Sequence, residues 1–572
     1  MSESPTVSDL LLGVSEIDSY GIRFEDQVIT WREHVQASFD RAALLDALLD
    51  NERPRHFGLL MENIPEFSLL LGAAAFSGTV LAGLNTTRRG PALARDVALA
   101  DCQIIFTENS QAHLLDGVDL GDVRVINVDS TEWADLLAPF ANSPHKPYAV
   151  SPDDLMMLIF TSGTSGDPKA VRCTHFKIAD PAIMLGDRFE LGPQDVIYMA
   201  MPMFHSNAIM AAWAIALHRK CAIGMRRKFS ASGFLPDVRK FGITYSNYVG
   251  KPLSFIAATP EQPDDHDNTL KIMYGNEGAA PAVATFIRRF GARVIDGFGS
   301  TEGGVSIGAA PVPRTGTLGL LPDGVKILHP ETGVPCPPAE FDADGRITNA
   351  DEATGEMVNV TGPGAFAGYY KNPDADAERM RNGQYWTGDL AYADDDGYVY
   401  FAGRSSGWLR VDGENIGAAP IERALTAYPG FAQVSVYAVP DSDVGDRVMA
   451  SVIPVGDVTN FDPEAVAAYI DSRPELGPKQ KPTLIRVCSE FPRTATFKVV
   501  TRTQSAERWN TSDPVWIRQR GEAHFQLLTP ERALTLEKVT VERSEGDVAV
   551  ERSEGDVAVE LQSVREGAAA AQ

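Results

Sequence analysis

Through the first two-thirds of the chain, short apolar runs alternate with segments whose apolar positions recur at helical spacing. "RVINV" (Arg124–Val128), "LMMLIF" (Leu155–Phe160), "DVIYMAMP" (Asp195–Pro202) and "ARVIDGFG" (Ala292–Gly299) read as strands. Their apolarity is nearly continuous, as expected of strands covered on both faces. Segments such as "PAVATFIRRF" (Pro281–Phe290) lie between them and read as helices. The alternation predicts an α/β fold, a mostly parallel sheet with helices on both faces. The uncharged stretch Phe67–Leu84 is long enough to raise the question of a membrane span. Gly72, Gly78 and Gly83 interrupt it, and it reads instead as a buried helix feeding a buried strand.

From about Asp342 the pattern shifts to short strands with acidic turns, as in "YADDDGYVYFAGR" (Tyr392–Arg404). Beyond Arg404 a smaller α+β unit begins, with "APIERALTAYP" as a helix and "QVSVYAVP" as a strand. The expected organisation is a large N-terminal domain over 1–404, a small mobile C-terminal domain over 405–537, and a tail over 538–572. In that tail "VERSEGDVA" occurs twice, back to back. Two copies are too few for a solenoid, so a disordered extension or an isolated charged helix, without chemistry, is expected.

The length of 572 residues independently calls for more than one core. A net charge of −26 argues against nucleic acid as a partner and against simple attachment to anionic lipid. An anionic substrate must therefore be held by local donors. The five cysteines are dispersed and unpaired in spacing, which fits a reducing compartment and no structural zinc. "MSESPTVSDLLLG" lacks the pattern of a signal peptide, so a cytoplasmic location is expected.

The chemistry starts at "FTSGTSGDPKAV" (Phe160–Val171). Backbone N–H groups and hydroxyls in a Gly-rich turn can surround phosphate oxygens, and a lysine adds a mobile charge. The turn is not a Walker A loop, because Pro168 precedes Lys169 and Ala170 follows it. Further along stand "GFGSTEGG" (Gly297–Gly304), "YWTGDLA" (Tyr385–Ala391), "GRSSGWLRVDGENIGAAPIE" (Gly403–Glu422) and "PRTATFKV" (Pro492–Val499).

In this order these segments resemble the motifs of the adenylate-forming superfamily of acyl-CoA synthetases, acyl adenylases and luciferases. "YSNYVGKPLSFIAATP" (Tyr245–Pro260), "YGNEGAAPAVATFIRRFG" (Tyr274–Gly291), "TFK" and the stretch Ser512–Glu531 resemble its fatty-acid-transport-protein and very-long-chain branch, which includes steroid-acid enzymes. The resemblance implies ATP, Mg²⁺ and coenzyme A as co-substrates and a small-molecule carboxylic acid as substrate. It implies that the acid is long-chain, very-long-chain or a steroid side-chain acid. A carboxylate would attack the α-phosphorus to give acyl-AMP, and CoA would displace AMP. An acyl-AMP ligase that loads a carrier protein, and a non-catalytic fatty-acid-binding or uptake protein, are the alternatives. A homodimer and a peripheral membrane contact stay open.

The resemblance also assigns residues. Thr161, Ser162, Gly163, Thr164, Ser165, Gly166 and Lys169 would cradle the β- and γ-phosphates, and Thr301 the α-phosphate. Glu302 would be the Mg²⁺ ligand. Gly278, Ala279, Phe298 and Gly299 would bind ATP, with Phe298 stacking on adenine. Asp389 and Arg404 would take the ribose. Lys498 would bridge carboxylate and α-phosphate in adenylation. Gly413, Glu414 and Asn415 would serve the thioester half. His205 would line the substrate channel, and Trp213, Tyr248, Val249 and Gly250 would draw the acyl pocket. Relatives usually carry an acidic residue after the arginine at the domain joint. Here Ser405, Ser406 and Gly407 follow Arg404, which puts a fixing salt bridge in doubt.

Overall fold

The structure is a computed structural model. It describes residues 4–536 apart from 145, 162–167, 277, 279, 313, 315, 344–346, 405–407, 412–413, 442–444, 474, 494–498, 520–521 and 534–535. The duplicated tail and Lys498 thus lie outside the described residues.

The chain forms two compact units, one from the described residues of Met1–Ser406 and Phe491–Val500, the other from those of Gly407–Glu490 and Thr501–Gln572. Three sheets build the large unit. The first runs Arg293–Asp296, Ile272–Asn276, Tyr245–Val249, Val196–Met199, Ala222–Met225, Gly21–Phe24, Gln27–Thr30. Only its last strand is antiparallel to its neighbour. The second runs Arg124–Asn127, Cys102–Thr107, His56–Leu60, Val80–Gly83, Leu155–Thr161, Lys169–Thr174, again parallel except for the final hairpin. Helices Trp31–Leu48, Pro65–Ser77 and His175–Arg188 supply much of the continuous core that both sheets share. Separate apolar clusters cover the first sheet with Ala231–Phe241 and Ala280–Phe290, and the second with Gly90–Leu99. Two sheets covered on both faces explain the unbroken apolarity of their strands.

The stretch Phe67–Leu84 behaves as its glycines suggest. Helix Pro65–Ser77 ends at Gly78, which takes the left-handed φ of 61° that stops a helix, and strand Val80–Gly83 follows. Among the described residues no helix is long and apolar enough to cross a membrane. The five cysteines are separate thiols, four of them buried.

The third sheet is antiparallel and runs Gly319–Leu320, Tyr398–Arg404, Gln384–Ala393, Gly355–Asn359, Val325–Leu328. It begins at Gly319, well before the expected change near Asp342. Its first strands have two and four residues, too short to show a period of their own. The small unit carries its own seven-stranded sheet around strands Phe431–Asp441 and Gly445–Pro454, with helix Ala418–Thr426 packed beside it.

Candidate active site

The parallel strands of the large unit end on one side in the loops that hold the expected site residues, the usual place for ligands in open α/β sheets. Strand Leu155–Thr161 pairs with Lys169–Thr174 so that Thr161 stands opposite Lys169. Ser162, Gly163, Thr164, Ser165 and Gly166 lie between them, outside the described residues. The edge strand Lys169–Thr174 then captures the segment before Lys371. Tyr370 N–H donates to the Ala170 carbonyl at 2.7 Å, and Arg172 N–H to the Gly368 carbonyl at 3.0 Å. This stitch brings Tyr369 beside Lys169.

Glu302 sits at the junction. Its Oε1 accepts from the Tyr369 hydroxyl at 3.1 Å and from Thr161 Oγ1 at 3.4 Å. Thr301 shares a 2.8 Å hydrogen bond with Ser206, the residue after His205. The His205 ring lies 4.6 Å from that of Phe204. Behind this cluster is a residue that no motif announces. Lys177 is 2% exposed, and its Nζ donates to the Arg172 carbonyl at 3.3 Å. Burial pulls its ammonium below the usual lysine value, against the opposing fields of Cys173 and Glu302. Lys169 reaches outward to Glu378 at 2.9 Å and lies 5.2 Å from the centre of the Tyr369 ring. Glu378 is 67% exposed, so the pair is weak and releasable.

The Thr-Gly-Asp turn is held from below. Gly388 has φ 72°, which favours glycine, and its N–H donates to Glu356 Oε1 at 2.5 Å. Burial pushes the Glu356 carboxyl up, with that N–H opposing. Asp389 N–H donates to Thr387 Oγ1 at 3.0 Å, and Thr387 Oγ1 to the Met357 carbonyl at 2.8 Å. The Arg379 guanidinium donates to the Thr387 carbonyl and, at 3.4 Å, to the Tyr369 hydroxyl. One half-buried cation therefore ties the Asp389 turn to the hydroxyl that steers Glu302. Asp389 pairs in register with Arg404, whose side chain lies outside the described residues.

Phe298 bridges to Ile307, and its ring centre lies 6.2 Å from that of Phe401. Gly299 is exposed. Gly278 N–H donates to Asp296 Oδ1 at 3.3 Å, and the same oxygen accepts from the Tyr248 hydroxyl. Ala279 lies outside the described residues, as do Gly413 and the side chains of Glu414 and Asn415. Of the residues expected at the acyl pocket, Tyr248 is wholly buried and turns its hydroxyl to Asp296. Val249 is buried beside it, and Gly250 has φ 42°. Trp213 is wholly buried, and its indole N–H donates at 2.8 Å to Ser68, which also meets His34 at 2.7 Å.

Sequence reading missed Lys177, Asp296, Glu356, Tyr369 and Arg379. Only Asp296 and Tyr369 carried any local signal, one just before the Gly297–Gly304 segment and the other in a Gly-Tyr-Tyr run.

A family model described as "AMP-binding enzyme" matches residues 16–370, and one described as "AMP-binding enzyme C-terminal domain" matches 420–498. Medium/long-chain-fatty-acid–CoA ligase FadD17 of Mycobacterium tuberculosis is 50% identical over 512 residues, 90% of this chain and 98% of that protein. Steroid-22-oyl-CoA synthetase of Rhodococcus jostii is 43% identical over 542 residues, 94% of this chain and 97% of that protein. The solved structure of ATP-bound MatB from Rhodopseudomonas palustris matches at a TM-score of 0.76 over 88% of this chain and 99% of that one. At 22% identity that match shows the shared fold. The two family models fall in chain order on a chain that two relatives match almost end to end, and so this protein belongs to the family of AMP-binding enzymes.

Proposed function

We propose that the protein is an AMP-forming acid–thiol ligase that converts a long-chain or steroid side-chain carboxylic acid to its CoA thioester through an acyl-AMP. The observation that carries this reading is the cluster in which Glu302 meets Thr161 and Tyr369 while Thr301 meets Ser206 beside His205. In adenylation an anion attacks a polyanion, so donors and cations must gather where charge builds up. Thr161, Lys169 and the loop 162–166 take the β- and γ-phosphates, and Thr301 takes the α-phosphate. Lys169 exchanges its exposed partner Glu378 for phosphate. Phe298 stacks on adenine, bordered by Gly278, Ala279 and Gly299, while Asp389 with Arg404 takes the ribose.

Among the described residues no group of three or more His, Cys, Asp or Glu could hold a metal ion. The single carboxylate of Glu302 nonetheless fits Mg²⁺ that arrives on the nucleotide, since that ion keeps several waters and leans on phosphates. When bound it neutralises phosphate charge. Lys498 bridges the carboxylate and α-phosphate in the first half-reaction. Gly413, Glu414 and Asn415 serve the second, after the small domain over 405–537 has moved. His205 faces the acid, whose body runs along the strand ends at Tyr248–Gly250. A cytoplasmic location agrees with five free thiols.

The test is a mass-spectrometric screen for CoA esters with ATP, Mg²⁺ and a panel of acids. Thioester and AMP should form with C12–C24 or steroid acids and far less with acetate. Acetate turning over equally well would refute the substrate class, and absence of AMP release with every acid would refute the ligase.

A further inference from the structure

One face of the first sheet carries hydrogen-bond acceptors that nothing among the described residues satisfies. Asn247 is 3% exposed. Its Nδ2 donates to Asn207 Oδ1 at 2.6 Å and to the Asn207 carbonyl at 3.2 Å. Asn207 Nδ2 in turn points to the Tyr248 carbonyl at 3.4 Å. Each amide nitrogen thus meets a backbone carbonyl, which can only accept, so neither side chain can be turned over. Asn247 Oδ1 is left buried with no hydrogen-bond partner among the described residues. Asn276 Oδ1 is in the same position.

These oxygens belong to one patch. Asn247 pairs with Tyr274, and Val249 with Asn276, so Asn247, Tyr274 and Asn276 point to the same side of the sheet. The Tyr274 hydroxyl lies where it would stand 2.8 Å from a Cβ placed on Gly297. Asn207 follows Ser206, which holds Thr301. The patch therefore lies between the Ser206–Thr301 pair and the start of the Gly297–Gly304 segment. A hydrocarbon chain laid here leaves both acceptors unpaired, which is costly when they are buried.

We propose that the acid activated by this protein carries a hydroxyl group near its carboxylate end, and that Asn247 Oδ1 and Asn276 Oδ1 share its single O–H as a three-centre hydrogen bond. The inference rests on the ligase reading, which puts the carboxylate beside Thr301 and His205. It narrows the substrate from a plain acid to a hydroxy acid. A site built to receive a hydroxyl discriminates strongly against the analogue without one, because its own polar groups then go unpaired.

The experiment compares kcat/KM for dodecanoate with that for its 2-hydroxy, 3-hydroxy, 3-methoxy and 12-hydroxy derivatives, using AMP release by the full-length protein. One of the two proximal hydroxy acids should be preferred over dodecanoate by about tenfold or more. The methoxy acid, which cannot donate, and the 12-hydroxy acid should show no such preference. Asn247→Leu should bring the ratio toward one, with the loss falling on the hydroxy acid. Asn276→Leu should do the same, and it decides the matter if Asn247→Leu fails to fold. Equal use of all five acids by the wild type, as when an ordered water satisfies the two oxygens, would overturn the inference alone. So would a preference that survives in the folded variants. No AMP from any acid would overturn the ligase reading with it.

Discussion

The most informative single change is Arg379→Met. It keeps the length of the side chain and removes every donor of a half-buried guanidinium. Arg379 donates to the Thr387 carbonyl and, at 3.4 Å each, to the Trp386 carbonyl and the Tyr369 hydroxyl. Bonds at 3.4 Å are weak. The bond to Thr387 is charge-assisted, a class worth about 1.5–3 kcal/mol. Its loss frees the turn that presents Asp389 and leaves Tyr369 less constrained against Glu302. If the whole loss is felt where ATP binds, about 2–3 kcal/mol corresponds to roughly 30- to 160-fold in kcat/KM for ATP. The assay is pyrophosphate release against ATP concentration at saturating acid, with thermal melting as the check on folding. Arg379→Lys should recover only part of the loss, since an ammonium can meet one carbonyl but cannot bridge to Tyr369. A folded Arg379→Met protein within threefold of wild type for ATP would show that the turn does not depend on this cation.

Gly304→Ala should destabilise the large unit by about 3 kcal/mol, because the new Cβ would sit 2.1 Å from the buried Tyr385 ring; an unchanged melting temperature would contradict the packing. Burial holds His34 at about 3 and His175 at about 4, below their ordinary 6.5, so both stay neutral in the folded protein while the unfolded chain takes up protons below that value. Stability should therefore be full above pH 6.5 and fall by about 1.4 kcal/mol per pH unit per histidine down to about pH 4. His175→Gln should flatten the melting-temperature profile between pH 7 and pH 5, and an equally steep profile would exclude His175 as a cause. Lys498→Ala should cost on the order of 100-fold or more in pyrophosphate release yet make thioester normally from supplied acyl-AMP and CoA. Gly413→Leu should show the reverse bias, and equal damage to both halves by either change would rule out a domain that alternates between them.

Much of this molecule is written locally. The run Leu155–Phe160 is a strand because continuous apolarity over that length suits nothing shorter-ranged than a covered sheet. Gly78 ends a helix because only its backbone enters the left-handed region cheaply. The hydroxyls and glycines around Lys169 announce an anion loop by their own chemistry, and the order of Gly297–Gly304, Tyr385–Ala391 and Pro492–Val499 announces the family. Periodicity says which face of a strand is buried, however, and not which strand lies beside it. That is why Thr161 meeting Glu302, 141 residues away, had no trace in the sequence as a contact. Nor could composition tell that Tyr248 turns its hydroxyl to Asp296, or that Trp213 spends its indole N–H on Ser68. Lys177 and Arg379 look like ordinary surface cations on helices. Burial changes what such a charge does, by stripping its water and leaving a few carbonyls and hydroxyls to meet it, and burial is decided only when the sheets close over one shared core.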